Sequence, residues 1–210
     1  LASPSSATGK RVALVIGNSN YKDVSVLGNP VRDAELVAKT LHNVGFDEVS
    51  IKLNLTRQQM MDALQNFENA AATSDWAAIY FAGHGIEVSG TNYMIPVDAQ
   101  VKEESSISTQ TVNMEYLLNA VEVASKLRLV ILDACRNNPY AEQVKVASAS
   151  RGVGGMGAST VGRGLSRVEP QPGTLVVYSA KAGEFALDGE RGTNAGTGLL
   201  WPSTGYNKQL

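Results

Sequence analysis

The chain has one cysteine, Cys135, so no intramolecular disulfide can form. That removes the disulfide-stapled class of small scaffolds and any demand for an oxidising compartment, without excluding one. Charge of either sign is not in excess: 18 Lys and Arg stand against 20 Asp and Glu, for a formal charge of -2. There is thus no footprint for nucleic acid or an anionic membrane surface, and any charge-based selectivity must be local. No stretch nears the roughly 20 continuous apolar residues of a membrane span, and no charged and then apolar leader precedes the first strand, so the chain reads as soluble. Internal repeats are missing too. Gly9-Lys10 comes before the first strand instead of after it, so no phosphate-cradling loop is formed.

What is present fits one domain of 210 residues. Residues 1–9 are small, polar and Ser-rich, and read as a disordered lead-in or as the remnant left by a removed signal peptide. The run RVALVIG at 11–17 is apolar and β-branched and ends in Gly-Asn-Ser-Asn, the pattern of a strand buried on both faces. Residues 31–44 carry Ala34, Val37, Ala38, Leu41 and Val44 at helical spacing, with Gly45 at the C-terminal cap. A strand at 48–53 follows, and Thr56 with Gln59 makes a capping box that opens a helix to about residue 72. Further buried strands fall at 76–82, 127–133 and 174–180. Ser89-Gly90 joins a short hairpin, and Asn113 caps a helix over about 114–124. Strands and helices alternate, which argues for an α/β fold with a mostly parallel sheet covered on both faces and its site at the carboxyl ends of the strands.

His84 directly follows the 76–82 strand and Cys135 directly follows the 127–133 strand. If those strands are neighbours, both residues emerge at one end of the sheet, and an imidazole beside a thiol is the usual means of making a thiolate nucleophile. Of the two histidines, His42 reads as a surface residue near a helix C-terminus, where its charge is favourable. His84 is left as the base. Backbone N–H groups of Gly85 and Cys135 are the candidate donors to an oxyanion. Taken alone, the same residues also fit a buried structural thiol and a tight Gly-His-Gly turn.

The segments around these residues resemble the caspase-like peptidases. Ala134-Cys135-Arg136, with a histidine about 50 residues upstream, has the family's spacing. Tyr80-Phe81-Ala82-Gly83-His84-Gly85 resembles its histidine motif and Leu132-Asp133-Ala134-Cys135-Arg136 its cysteine motif. Ala13-Leu14-Val15-Ile16-Gly17-Asn18, Asn92-Tyr93-Met94-Ile95-Pro96-Val97-Asp98, and Arg163-Gly164-Leu165 leading into Gly173-Thr174-Leu175 are similar, more narrowly, to paracaspases and bacterial orthocaspases. The resemblance implies a caspase-like three-layer α/β/α sandwich over residues 10–192 and peptide hydrolysis by a Cys-His dyad without a required cofactor. It leaves the compartment open between bacterial cytoplasm, periplasm and secretion. Calcium activation, known in many metacaspases, has no support, since no loop has EF-hand spacing.

In this family, caspases proper cut after Asp through a basic pocket, whereas metacaspases and paracaspases cut after Arg or Lys through an acidic one. Asp133, two residues before Cys135 on a strand, shares its side. Asp33 and Glu184 resemble the family's other pocket acids. Alone, Asp33 also fits a helix N-terminus and Glu184 a solvated loop. The expected partner is a peptide or protein with Arg or Lys at P1. Residues 141–173, rich in Gly, Ser and Ala, read as a flexible loop in which Lys145, Arg151, Arg163 and Arg167 are candidate self-cleavage sites. A loop whose basic residues only keep it soluble fits equally well. Residues 193–210 lack the expected helix and strand and read as a divergent or truncated tail, so the sequence does not choose between monomer and homodimer. The rival reading is a catalytically silent caspase-like scaffold.

Overall fold

The computed structural model describes residues 9–134, the backbone of Cys135, and residues 139–140, 165–166 and 168–179. Five parallel strands form the main sheet: β1 (Arg11–Gly17), β2 (Glu48–Leu53), β3 (Trp76–Val88), β6 (Leu127–Cys135) and β7 (Thr174–Tyr178), in the order β2-β1-β3-β6-β7. Between β3 and β6 the chain adds the antiparallel strands β4 (Thr91–Met94) and β5 (Val112–Asn113). Helices α1 (Pro30–Asn43), α2 (Arg57–Ala71), α3 (Ile107–Gln110) and α4 (Met114–Glu122) complete the described elements, with a 3-10 turn at Glu104–Ser106.

Helices cover both faces because the strand residues alternate between two apolar clusters. Leu14, Ile16, Ile79, Phe81, Val130 and Leu132 pack with Met60, Leu64 and Phe67 of α2 and Leu117 and Val121 of α4. Val15, Tyr80, Ala82 and Ile131 face the other way, onto Ala34 and Val37 of α1. Each large side chain so buried contributes about 1.5–3 kcal/mol, which is why strands without polar alternation lie in the middle of the sheet. The expected three-layer α/β/α arrangement is the one observed.

Local signals set the ends of the helices. Thr56 accepts from Gln59 N–H and the Gln59 side chain accepts from Thr56 N–H, a complete capping box worth about 1 kcal/mol. Asn113 accepts from Glu115 N–H at 2.9 Å to start α4. Two expectations need adjustment. Strand β3 does not stop at residue 82 but runs through the Gly-His-Gly segment to Val88, since the hairpin partner β4 pairs with Gly85 to Val88 and keeps the backbone extended. Ser89 and Gly90, with φ of 51° and 84°, make the two-residue turn that suits a right-twisted hairpin. Within the segment read as a loop, residues 165 and 166 are docked: Leu165 is buried in the same cluster as Phe81 and Leu132, and Ser166 N–H and C=O both bond to the Asn92 side chain at 2.7 Å.

Candidate active site

Strands β3 and β6 are parallel neighbours, and their register pairs Ala82 with Asp133, Gly83 with Ala134 and His84 with Cys135. Adjacent strands lie about 4.8 Å apart, so positions 84 and 135 stand side by side at the carboxyl end of the sheet. His84 is therefore inside a strand, not in a turn after one. A turn would let the ring wander, whereas a ladder on both edges of β3 gives it a fixed base.

The loop after β1 closes over this point. Asn18 is fully buried and ties the strand ends together: its N–H donates to Ala82 O at 2.9 Å, its Oδ1 accepts from Leu55 N–H at 2.9 Å, and its Nδ2 donates to Ile95 O at 3.3 Å. Three residues on, the Tyr21 hydroxyl accepts from His84 N–H at 2.8 Å, and its ring lies 4.6 Å from the imidazole at 50°. Gly83, at φ 155°, makes the approach possible, because a Cβ there would lie 2.5 Å from the Tyr21 hydroxyl.

His84 is itself buried, 4% exposed, and its Nε2 lies 2.9 Å from the Ser25 carbonyl oxygen. A carbonyl only accepts, so Nε2 carries a proton, and in the neutral ring the lone pair is left on Nδ1. The contact thus leaves Nδ1 as the nitrogen that can take up a proton.

On the α1 side of the sheet, β6 presents Asp133, whose Oδ2 accepts from the Tyr80 hydroxyl at 2.9 Å. Asp33, buried in the first turn of α1, is the other nearby carboxylate. Burial first, then the charge of Asp133, its hydrogen bond and the charge of Asp33, push the Tyr80 phenol well above its ordinary value. Asp33 and Asp133, far apart in sequence, both act on one tyrosine, Asp133 through a hydrogen bond and Asp33 through its charge. By strand alternation, position 135 falls on the same face as Asp133.

A family model of the caspase domain matches residues 10–200. The chain belongs to the caspase family. Two relatives are alike over one segment: the human (Homo sapiens) mucosa-associated lymphoid tissue lymphoma translocation protein 1, 32% identical over 140 residues, which are 66% of this chain and 17% of that protein, and its Mus musculus homolog, 31% identical over 140 residues, 66% of this chain and 16% of that protein. The chain thus spans well under half the length of the curated relatives it matches.

Within this caspase domain the structure brings His84 beside position 135 and Asp133 into a hydrogen bond with Tyr80, whose phenol also feels the charge of Asp33. Gly85 follows His84 on β3, paired with Met94 of the hairpin. Glu184, Lys145, Arg151, Arg163 and Arg167 lie outside the described residues. Sequence reasoning missed Tyr21, Ser25 and Tyr80. Tyr80 reads as one more apolar strand residue. Tyr21 and Ser25 sit in a loop without periodicity, and a backbone carbonyl leaves no trace in residue type. The usable signal was topological: the loop after β1 lies at the carboxyl end beside β3, where sites in such sheets form. No helix among the described residues is long and apolar enough to cross a membrane.

Proposed function

We propose that the domain is a cysteine endopeptidase that hydrolyses peptide bonds after Arg or Lys, with Cys135 as nucleophile and His84 as base. The observation that carries this reading is the pairing of His84 with Cys135 across β3 and β6, together with the Ser25 carbonyl that leaves Nδ1 as the proton acceptor. In the first step Nδ1 takes the thiol proton and the thiolate adds to the scissile carbonyl carbon. The oxyanion is met by the backbone N–H groups of Gly85 and Cys135. Collapse of the tetrahedral adduct breaks the C–N bond, the imidazolium protonates the departing amine, and a thioester remains. Water, deprotonated by His84, then hydrolyses it and restores the thiol. No metal or cofactor enters the scheme.

Preference for a basic P1 residue is supported by the two gathered carboxylates. Asp33 and Asp133 supply charge-assisted acceptors for a guanidinium or ammonium, and Glu184 joins them by resemblance to the family. The same selectivity makes Lys145, Arg151, Arg163 and Arg167 candidate sites of self-cleavage. The test is turnover of a peptide series varied only at P1, with wild type, Cys135→Ala and His84→Ala. Cleavage after Arg and Lys that vanishes in both variants is expected. Equal or faster cleavage after Asp refutes the P1 assignment. Failure of a labelled peptidyl-Arg inhibitor to modify Cys135 would instead favour a silent scaffold.

A further inference from the structure

Tyr80 reaches from β3 to Asp133 on the neighbouring strand β6. Its ring is 1% exposed, and its hydroxyl lies 2.9 Å from Asp133 Oδ2 with the Asp33 charge close by. A phenol has a single proton, and here it goes to Asp133. A neighbour that only filled space between α1 and the sheet would serve as well with a phenylalanine ring, so the hydroxyl calls for another explanation.

Charge alone does not need it. A lysine ammonium carries three donors on a flexible stem and adapts to acids in many arrangements. An arginine guanidinium presents a rigid planar fork and needs a carboxylate held in a matching plane. A carboxylate turning about χ1 and χ2 meets that plane only part of the time. One with an oxygen bonded to a buried hydroxyl on the neighbouring strand is held still.

We propose that Tyr80 is a positioning residue of the P1 pocket, holding the Asp133 carboxylate in the orientation that favours arginine over lysine. The inference rests on the reading that Asp33 and Asp133 receive a basic P1 side chain. It adds the residue that makes the pocket discriminate between two cations of equal charge.

Steady-state kinetics on two peptides identical except for Arg or Lys at P1, with wild type, Tyr80→Phe and Asp133→Glu, test it. In Tyr80→Phe the KM for the Arg peptide rises about tenfold with kcat within about threefold, while the Lys peptide changes by less than about threefold, the pattern of lost uniform binding to one cation. The Arg to Lys ratio of kcat/KM therefore falls. Asp133→Glu keeps the charge but moves the carboxylate one methylene from its place beside Tyr80, and lowers the same ratio; it carries the test if Tyr80→Phe does not fold. A merely structural tyrosine would slow both peptides equally, and an unchanged ratio in the folded variants overturns the proposal. If wild type cleaves neither peptide, the reading of the acids fails first and takes this one with it.

Discussion

Replacing Tyr21 by phenylalanine removes one oxygen atom from the hydrogen-bonded support of His84 and leaves the ring contact in place. The hydroxyl accepts from His84 N–H at 2.8 Å, and Tyr21 and His84 are 8% and 4% exposed, so water cannot simply take its place. The stability change has two parts: the net value of one hydrogen bond, about 1 kcal/mol, and the desolvation of a buried donor left without this acceptor, which brings the total to about 1–3 kcal/mol. No cavity larger than the lost oxygen forms, so no packing term is added. For a domain of this size, each kcal/mol moves Tm by about 2–4 °C, and the expected fall is about 2–12 °C. The catalytic effect should be separable. Loosening the backbone at His84 disturbs the alignment of Nδ1 with the nucleophile, where misplacement of about 1 Å can lower rate by up to about 100-fold. A fall of about tenfold in kcat is expected, with KM for a P1-Arg peptide within about twofold, because the acids around Tyr80 are untouched. Thermal and urea unfolding give the first quantity and peptide kinetics the second. A variant within about 0.5 kcal/mol of wild type and with unchanged kcat refutes the role assigned to the Tyr21 hydroxyl.

Two perturbations probe the frame around the site. Asn92→Ala removes both 2.7 Å bonds to Ser166 and should destabilise by about 2 kcal/mol, with faster hydrogen exchange at Ser166; unchanged protection there would show that the docked Leu165 suffices alone. At the opposite end of the sheet, hydrogen bonds from Lys126 first and Ser125 second hold the Asp75 carboxyl below its ordinary value. A carboxyl depressed on folding adds stability above its unfolded pKa and loses it as pH falls through the folded one. Asp75→Asn should therefore lower Tm at pH 7 by a small amount that shrinks in high salt and closes as pH drops below about 4. A gap of constant size down to pH 3 contradicts that.

Much of the fold was legible because its signals are local. Ala34, Val37 and Leu41 at helical spacing mark α1, Thr56 with Gln59 marks the start of α2, and the β-branched runs mark the parallel strands. Helix ends and apolar periodicity depend on neighbours a few residues away, and a single chain displays those in order. The short elements were missed: Val112–Asn113 and Ile107–Gln110 are too brief for any period to show. Extension of β3 through His84 was missed as well, since two glycines read as a turn until a partner strand pairs with them.

Residue type and strand-end placement in the sequence singled out Cys135, His84 and Asp133, and the resemblance of its motifs to the caspase-like peptidases added Asp33 and the family. Tertiary structure decided what those residues can do. The β3 to β6 register set His84 beside position 135; the Ser25 carbonyl set which ring nitrogen faces it; Tyr21 bonded the histidine backbone; and Tyr80 bonded Asp133 across neighbouring strands. Each of these is a hydrogen bond or a pairing between distant segments. Such contacts depend on how strands are ordered and which carbonyl a loop happens to present, and these arise only when the whole chain packs.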